Sequence, residues 1–289
     1  MRDDFAVFIL SHGRADRVHT ISALERGGYT GRWYIIIDNE DDQGPEYIRR
    51  YGDRVIVFDR TKPADFDVGD NTGDRRVVIY ARNECHRIAA ELGLTYFLEL
   101  DDDYASFSYR WAEGASLRSR VITRRLDDVF AAMLDFLDVS GALTVCFSQG
   151  GDTLGGVRDW RAGVKRKAMN SFFCRTDRPF KFVGRINEDV CTPLMLGQQG
   201  HLFLTVFDVC IVQKETQSNA GGMTDVYLDA GTYLKSFYSV MYRPDCVKVY
   251  ALNTKFSRLH HLINWKTAVP KLISSRWRKP DPASAAPAH

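Results

Sequence analysis

Tyr96-Phe97-Leu98-Glu99-Leu100-Asp101-Asp102-Asp103 is an apolar run of strand character that ends in three consecutive carboxylates. Three like charges side by side raise the free energy of the ionised state. A divalent cation relieves that repulsion, and carboxylate oxygens are the donors that Mg2+, Mn2+ and Ca2+ prefer. The end of a buried strand is also where open α/β sheets place their ligands. Taken alone, the same stretch reads equally as an acidic turn after a strand.

Upstream of this run, strands and helices alternate. Phe5 to Leu10 is short, continuous and apolar, the pattern of a buried strand, and runs into Ser11-His12-Gly13-Arg14. Val18 to Arg26 predicts a helix closed by Gly27-Gly28. Trp33 to Ile37 predicts a second strand that stops at Asp38. Gly44 to Tyr51 predicts a helix with Pro45 in its first turn, and Arg54 to Phe58 a third strand. Lys62 to Asp74 is a polar loop, and Val77 to Leu92 predicts the helix that leads into the acidic strand. Helices between strands mean crossover connections and a mostly parallel sheet with helices on both faces.

Downstream, residues 104 to 125 break the pattern. Leu126 to Leu137 is an amphipathic helix, and Ala142 to Phe147 a strand before Ser148-Gln149-Gly150-Gly151. Ser171 to Cys174, Leu202 to Val206 and Val247 to Tyr250 are further strand candidates, and Val226 to Met241 reads as a helix. The tail from Lys279, rich in Pro and Ala, is expected to be disordered. No internal repeat or linker is visible. The expectation is one α/β domain over residues 1–278 with a decorated second half.

The 289 residues are 45% hydrophobic and 12% aromatic, enough for a sizeable core. The 39 basic and 37 acidic residues nearly cancel, so any basic surface is local. No apolar stretch approaches the roughly 18–20 residues that span a bilayer. The start, Met1-Arg2-Asp3-Asp4, does not read as a signal peptide. Cys85, Cys146, Cys174, Cys191, Cys210 and Cys246 are scattered and form no Cys-x-x-Cys pair, which predicts reduced, buried thiols in a cytoplasmic protein.

Successive strand ends of a parallel sheet share one edge, so Ser11, Arg14, Asp38, the Arg82-Asn83 pair and the acidic cluster converge on one cleft. Asp38 can accept hydrogen bonds from a base or ribose, or serve as an ordinary loop carboxylate. Arg14 and Arg82 can neutralise phosphate, although Arg82 also suits a surface helix. In Gly184-Arg185-Ile186-Asn187-Glu188-Asp189-Val190, the paired carboxylates fit a helix N-terminus, or a general base that deprotonates a hydroxyl. In Arg258-Leu259-His260-His261, at most one imidazole points into a metal shell, and a packing pair is the plain alternative.

Three segments concentrate basic charge. They are Arg118-Ser119-Arg120 with Arg124-Arg125; Arg158, Trp160, Arg161, Lys165, Arg166 and Lys167; and a C-terminal group from Trp265 through Lys279. Basic charge interleaved with aromatics suits a nucleic-acid backbone and a displaced base. Each segment alone reads equally well as a solvated loop.

The ordered set resembles the metal-dependent GT-A glycosyltransferases. The set is Ser11-His12-Gly13-Arg14, Asp38, Ala81-Arg82-Asn83, Leu100-Asp101-Asp102-Asp103, Asn187-Glu188-Asp189 and a late histidine. Within them, Arg82-Asn83-Glu84-Cys85, the Leu-Glu-Leu-Asp-Asp-Asp-Tyr run at 98–104 and Ile186-Asn187-Glu188-Asp189 are similar to the phage TET/JBP-associated glycosyltransferases, thought to add sugars to 5-hydroxymethylpyrimidines in DNA. The resemblance implies a GT-A-like domain with a nucleotide-sugar-binding half, 1–104, and an acceptor half, 105–278. It implies a UDP-sugar donor, Mn2+ or Mg2+, an inverting reaction, double-stranded DNA as partner and a host-cell cytoplasmic setting. Asp38 would hold the nucleoside, with Ser11, Arg14, Arg82 and Asn83 near the donor. Asp101 would face ribose or metal, and Asp103 would bind metal together with His260 or His261. Asp189 would be the base and Glu188 would hold hydroxyls. The triple Asp leaves Asp102 and Asp103 as alternative metal ligands.

Three other readings compete. One is a glycosyltransferase acting on protein, glycan or lipid. Another is a nucleotidyltransferase, for which Ser11-His12-Gly13-Arg14 is a poor phosphate loop. The last is a non-enzymatic nucleic-acid-binding protein, which the acidic clusters oppose by repelling phosphate.

Overall fold

The computed structural model describes residues 1–73, 75–161, 167–213, 234–253 and 257–269. Strands β1 (Phe5–Leu10), β2 (Arg32–Asp38), β3 (Val55–Phe58) and β4 (Tyr96–Asp101) form where short apolar runs were read, and all lie parallel in the order β3-β2-β1-β4. Helices α1 (His19–Gly27), α2 (Gly44–Tyr51) and α3 (Ile79–Glu91) make the crossovers. β1 is apolar on both sides because both its faces are covered. Phe5, Val7 and Ile9 pack toward α1 and helix α4 (Leu126–Ser140), while Ala6, Phe8 and Leu10 pack toward α3.

After β4 the sheet becomes mixed. β8 (Ser171–Arg175) lies antiparallel between β4 and β7 (Thr144–Ser148). β9 (Phe203–Gln213) runs parallel to β7 with its first half and pairs antiparallel with β5 (Tyr104–Glu113) through its second. β6 (Ser116–Val121) closes the nine-stranded order β3-β2-β1-β4-β8-β7-β9-β5-β6. Phe5, Phe107, Phe130, Phe147 and Phe173 interlock on one face at ring separations of 5.3–6.3 Å.

Within the segment 104–125, which breaks the strand–helix alternation, β5 and β6 form a long hairpin. Ala105-Ser106-Phe107-Ser108-Tyr109-Arg110-Trp111 alternates apolar and polar residues at the period of a half-buried strand, a signal the sequence reading passed over. β9 extends past the expected Val206. β10 (Val247–Asn253) pairs with an unexpected partner, β11 (Ser257–Ile263), which carries His260 and His261. Helices α5 (Val157–Arg161), α6 (Glu188–Gly197), α7 (residues 234–242) and α8 (Trp265–Ala268) complete the chain. The first part of the expected 226–241 helix, and the tail from Lys279, lie outside the described residues. All six cysteines are buried free thiols. No described helix is long and apolar enough to cross a membrane.

Between β1 and β4 the strand order reverses, since β1 connects to β2 on one side and β4 lies on the other. The crevice outside the C-terminal ends of such strands is the favoured ligand position of an open α/β sheet.

Candidate active site

The β1 and β4 ends are tied together by one hydrogen-bonded chain. Arg14 N–H donates to the Tyr47 hydroxyl at 2.9 Å, and that hydroxyl lies 2.6 Å from Ser11 Oγ. Ser11 Oγ donates to Asp102 Oδ2 at 2.6 Å, and Arg14 Nη1 to Asp102 Oδ1 at 2.8 Å. Asp102 is buried with both oxygens spent; burial pushes its carboxyl up against the pull of Arg14 and Ser11. It acts as a strut between the two strand ends.

Its neighbours face the crevice. Asp101 accepts from Arg82 Nη2 at 3.0 Å and from the Tyr104 hydroxyl at 3.3 Å. Asp103 accepts from Gln213 Nε2, 3.1 Å from each of its oxygens. Burial, then the charge of Asp101, pushes Asp103 up to about 6.

Arg82 joins this cluster to the second acidic motif. Its side chain is fully buried, and Nε donates to Glu188 Oε1 at 2.8 Å while Nη1 lies 3.6 Å from Glu99. One guanidinium thus meets three carboxylates, Glu99 and Asp101 on β4 and Glu188 on α6. Burial opposes its charge, but Asp101, Glu188 and Glu99 outweigh that and hold its pKa well above the ordinary value. Burial raises Glu188 and Asp189 together; Arg82 pulls Glu188 back, and Lys235, Arg82 and Lys167 pull Asp189 back.

Local backbone sets these two carboxylates. Asn187 precedes α6 with φ +67°, a left-handed conformation that Asn tolerates, so the chain turns sharply and presents Glu188 and Asp189 in the first helical turn. There the helix dipole favours negative charge. Pro193 has no N–H and so withdraws the bond that would fall on the Asp189 carbonyl.

The sequence profile of the TET-associated glycosyltransferases matches residues 5–222. The chain belongs to that family. A search of curated proteins by sequence finds no match. Among solved structures it is similar to glucosyl-3-phosphoglycerate synthase from Mycobacterium tuberculosis, in complex with Mn2+, UDP and phosphoglyceric acid. That likeness has 11% identity and a TM-score of 0.46, covering 90% of this chain and 86% of that one. A second likeness, to a mycobacterial protein, has 10% identity and a TM-score of 0.44, covering 90% and 83%.

The other sequence-read residues of the glycosyltransferase fall into three groups. Asp38 sits at the β2 end, where its carboxylate meets His12 Nδ1 at 2.9 Å, Arg60 Nη1 at 3.1 Å and Glu40 N–H at 3.0 Å. Burial works against its charge, but His12 and Arg60 hold it below the usual range; His12 is raised in turn by Asp38. Asn83 is buried and spent at both ends on Phe182, accepting from its N–H at 2.7 Å and donating to its carbonyl at 3.1 Å. It braces the segment that leads to Glu188.

His260 and His261 stack at 4.5 Å, and Asn187 Nδ2 lies 3.1 Å from His261 Nδ1. Burial, then His260, Lys235 and Lys167, lowers His261 to about 3, so it is neutral. It therefore shares surroundings with Asp189, whereas the groups acting on Asp103 are Asp101, Gln213, Asp102 and Arg14. No three His, Cys, Asp or Glu side chains among the described residues are grouped as a metal cage.

The basic segment divides. Lys167 bridges to Asp152 and faces the acidic site, while Arg158 and Arg161 are exposed on α5 beside half-buried Trp160. Lys165 and Arg166 lie outside the described residues.

Sequence reading passed over His12, Arg60, Gln213 and Glu99. Glu99 carried a signal, being a lone charge inside an apolar strand, and Arg60 stands just past a strand end as Ser11 does. Nothing in the sequence around Gln213 marks it.

Proposed function

We propose that this glycosyltransferase moves a sugar from a nucleotide-sugar donor, a UDP-sugar first among the candidates, to the hydroxyl of a 5-hydroxymethylpyrimidine in DNA. Arg82 carries the reading. Its span brings the acidic cluster at the switch point within one guanidinium of Glu188 and Asp189. Donor phosphates and the acceptor hydroxyl need those two groups side by side. The family supports the acceptor class. Residues 1–104 then form the donor half and 105–278 the acceptor half.

The donor set fits a cation that arrives with its diphosphate. Asp101 and Asp103 supply hard oxygens, and Mg2+ or Mn2+ held by one or two carboxylates completes its shell with water and substrate phosphate. Held there, such a cation would supply the positive charge that a departing diphosphate needs. Asp102, spent on Ser11 and Arg14, keeps the two strand ends in register. His12 and Arg60, both fastened to Asp38, border the nucleoside position. Arg14 lies beside the phosphates.

Asp189 takes the proton of the acceptor hydroxyl as the sugar C1 gains positive character, in an inverting displacement. Glu188 fixes the helix turn that aims it. With the Asn187 amide nitrogen donating to His261 Nδ1, the ring proton would stand on Nε2. The ring is then suited to donate to a phosphate or hydroxyl oxygen, in preference to a ligand role for His260 or His261. The target base leaves the duplex to reach the crevice.

The test is thermal stabilisation by UDP and UDP-sugars, with and without Mn2+, in the wild type and Asp103→Ala, followed by sugar transfer to hydroxymethylated duplex DNA. Metal-dependent stabilisation that Asp103→Ala abolishes supports the donor site. No response to any nucleotide sugar overturns it. Donor binding with transfer only to protein, glycan or lipid overturns the DNA acceptor.

A further inference from the structure

The β5–β6 hairpin is the largest element that the sequence did not announce, and with the segment that follows it is strongly basic. Residues 104–125 hold five arginines and one glutamate, a balance of +4 in a protein whose total is +2. The strand register arranges them. Tyr109 pairs with Arg120 and Trp111 with Arg118, so each guanidinium stands directly across from an aromatic ring on one face. Tyr109 and Trp111 are 37% and 39% exposed, unusual for such large apolar groups in a strand.

The charges on that face remain available. Among the described residues Arg118 pairs with Glu113 alone, in an exposed pair of the kind worth little in water. Arg120 forms no ion pair among the described residues. Arg110, on the opposite face, is by contrast turned inward to Thr153 Oγ1 at 2.8 Å. Helix α5, which carries Arg158 and Arg161, packs against both β5 and β6.

The hairpin also connects to the acidic crevice. β5 begins at Tyr104, whose hydroxyl contacts Asp101. Tyr109 and Trp111, five and seven residues on, stand about 16–23 Å along the strand at about 3.3 Å per residue. That reach equals about five to seven steps of duplex at 3.4 Å per phosphate on each strand.

We propose that the β5–β6 hairpin is a track for the DNA backbone, with Arg118 and Arg120, each opposite an aromatic ring, taking phosphates that flank the base in the crevice. The inference rests on the DNA-acceptor reading. Its chemistry is that of a phosphodiester backbone, sequence-independent and sensitive to salt.

The experiment is fluorescence anisotropy of a labelled hydroxymethylated duplex across a salt series, using the full chain. The variants are Arg118→Ala/Arg120→Ala and, as control, Arg49→Ala/Arg50→Ala on α2 at the other edge of the sheet, which removes equal charge. Two lost phosphate contacts reduce the slope of log K against log salt by about 1.8 in the hairpin variant. The control keeps the wild-type slope, and both variants keep the UDP melting shift. An unchanged slope in the hairpin variant, or an equal loss in the control, overturns the track even where the enzyme modifies DNA. A reduced slope with no transfer to any DNA leaves the track standing and overturns the acceptor reading. A wild type that does not bind duplex overturns both.

Discussion

At the scale of single residues, the site depends on how few positive groups face how many carboxylates. Arg82 serves Asp101, Glu188 and Glu99; burial raises both Glu188 and Asp189, and the charge of Asp189 adds to the rise of Glu188. Asp189→Asn is expected to lower transfer by about 10²–10⁴-fold while the UDP melting shift survives. Glu188→Gln removes a negative neighbour, so the Asp189 carboxyl loses its proton at lower pH. The acid limb of the rate profile then moves to lower pH, and an unmoved limb speaks against Asp189 as the base. The sequence showed both carboxylates, the acidic cluster and Arg82. It did not show that Arg82 is interior, because a helical arginine followed by Asn and Glu has the composition of a solvated face. Only the approach of α6 from a hundred residues away turns that position inward.

At the scale of elements, the strands legible in advance were those buried on both faces. β1 and β4 are continuous apolar runs because helices cover them above and below. β6 and β11 escaped because their polar residues occupy both faces, so neither clean alternation nor an apolar run remains, whereas β5 does alternate from Ala105 to Trp111 and could have been read. Turn chemistry was legible where glycine is required. Gly28 ends α1 at φ +80°, and a Cβ there would lie 2.4 Å from the Arg124 Cα, a backbone atom with no freedom to withdraw. Gly28→Ala combines a left-handed backbone with a clash between α1 and the chain entering α4. It is expected to cost about 3 kcal/mol in urea unfolding. A loss under about 0.5 kcal/mol contradicts the close approach.

At the scale of the whole molecule, stability depends on pH through groups buried far from water. Burial pushes Glu99 up to about 8 despite Arg82, so the native state keeps a proton that the unfolded chain releases above about 4.3. Stability therefore falls as pH rises toward 8, by about 1.4 kcal/mol per unit for this one group. His86 has the opposite effect. It is wedged between the rings of Phe97 and Phe180, and burial lowers it to about 4, so its contribution is lost as pH falls from about 6.5. The two offset each other in weak acid, and from about pH 6.5 to 8 the downward slope belongs to Glu99 together with Glu188, which burial raises to about 7. Over that window the melting midpoint is expected to drop, and Glu99→Gln to reduce the proton release linked to unfolding by about one. A slope unaltered in that variant contradicts the assignment. Strand β8 has a consequence of another kind. It comes from the second half of the chain yet covers the outer edge of β4, and Glu188 comes from the same half to neutralise Arg82. Neither half is thus a portable module. A chimera that keeps this donor side and borrows a different acceptor side inherits a bare β4 edge and an unmatched interior cation, unless the graft brings its own versions of both.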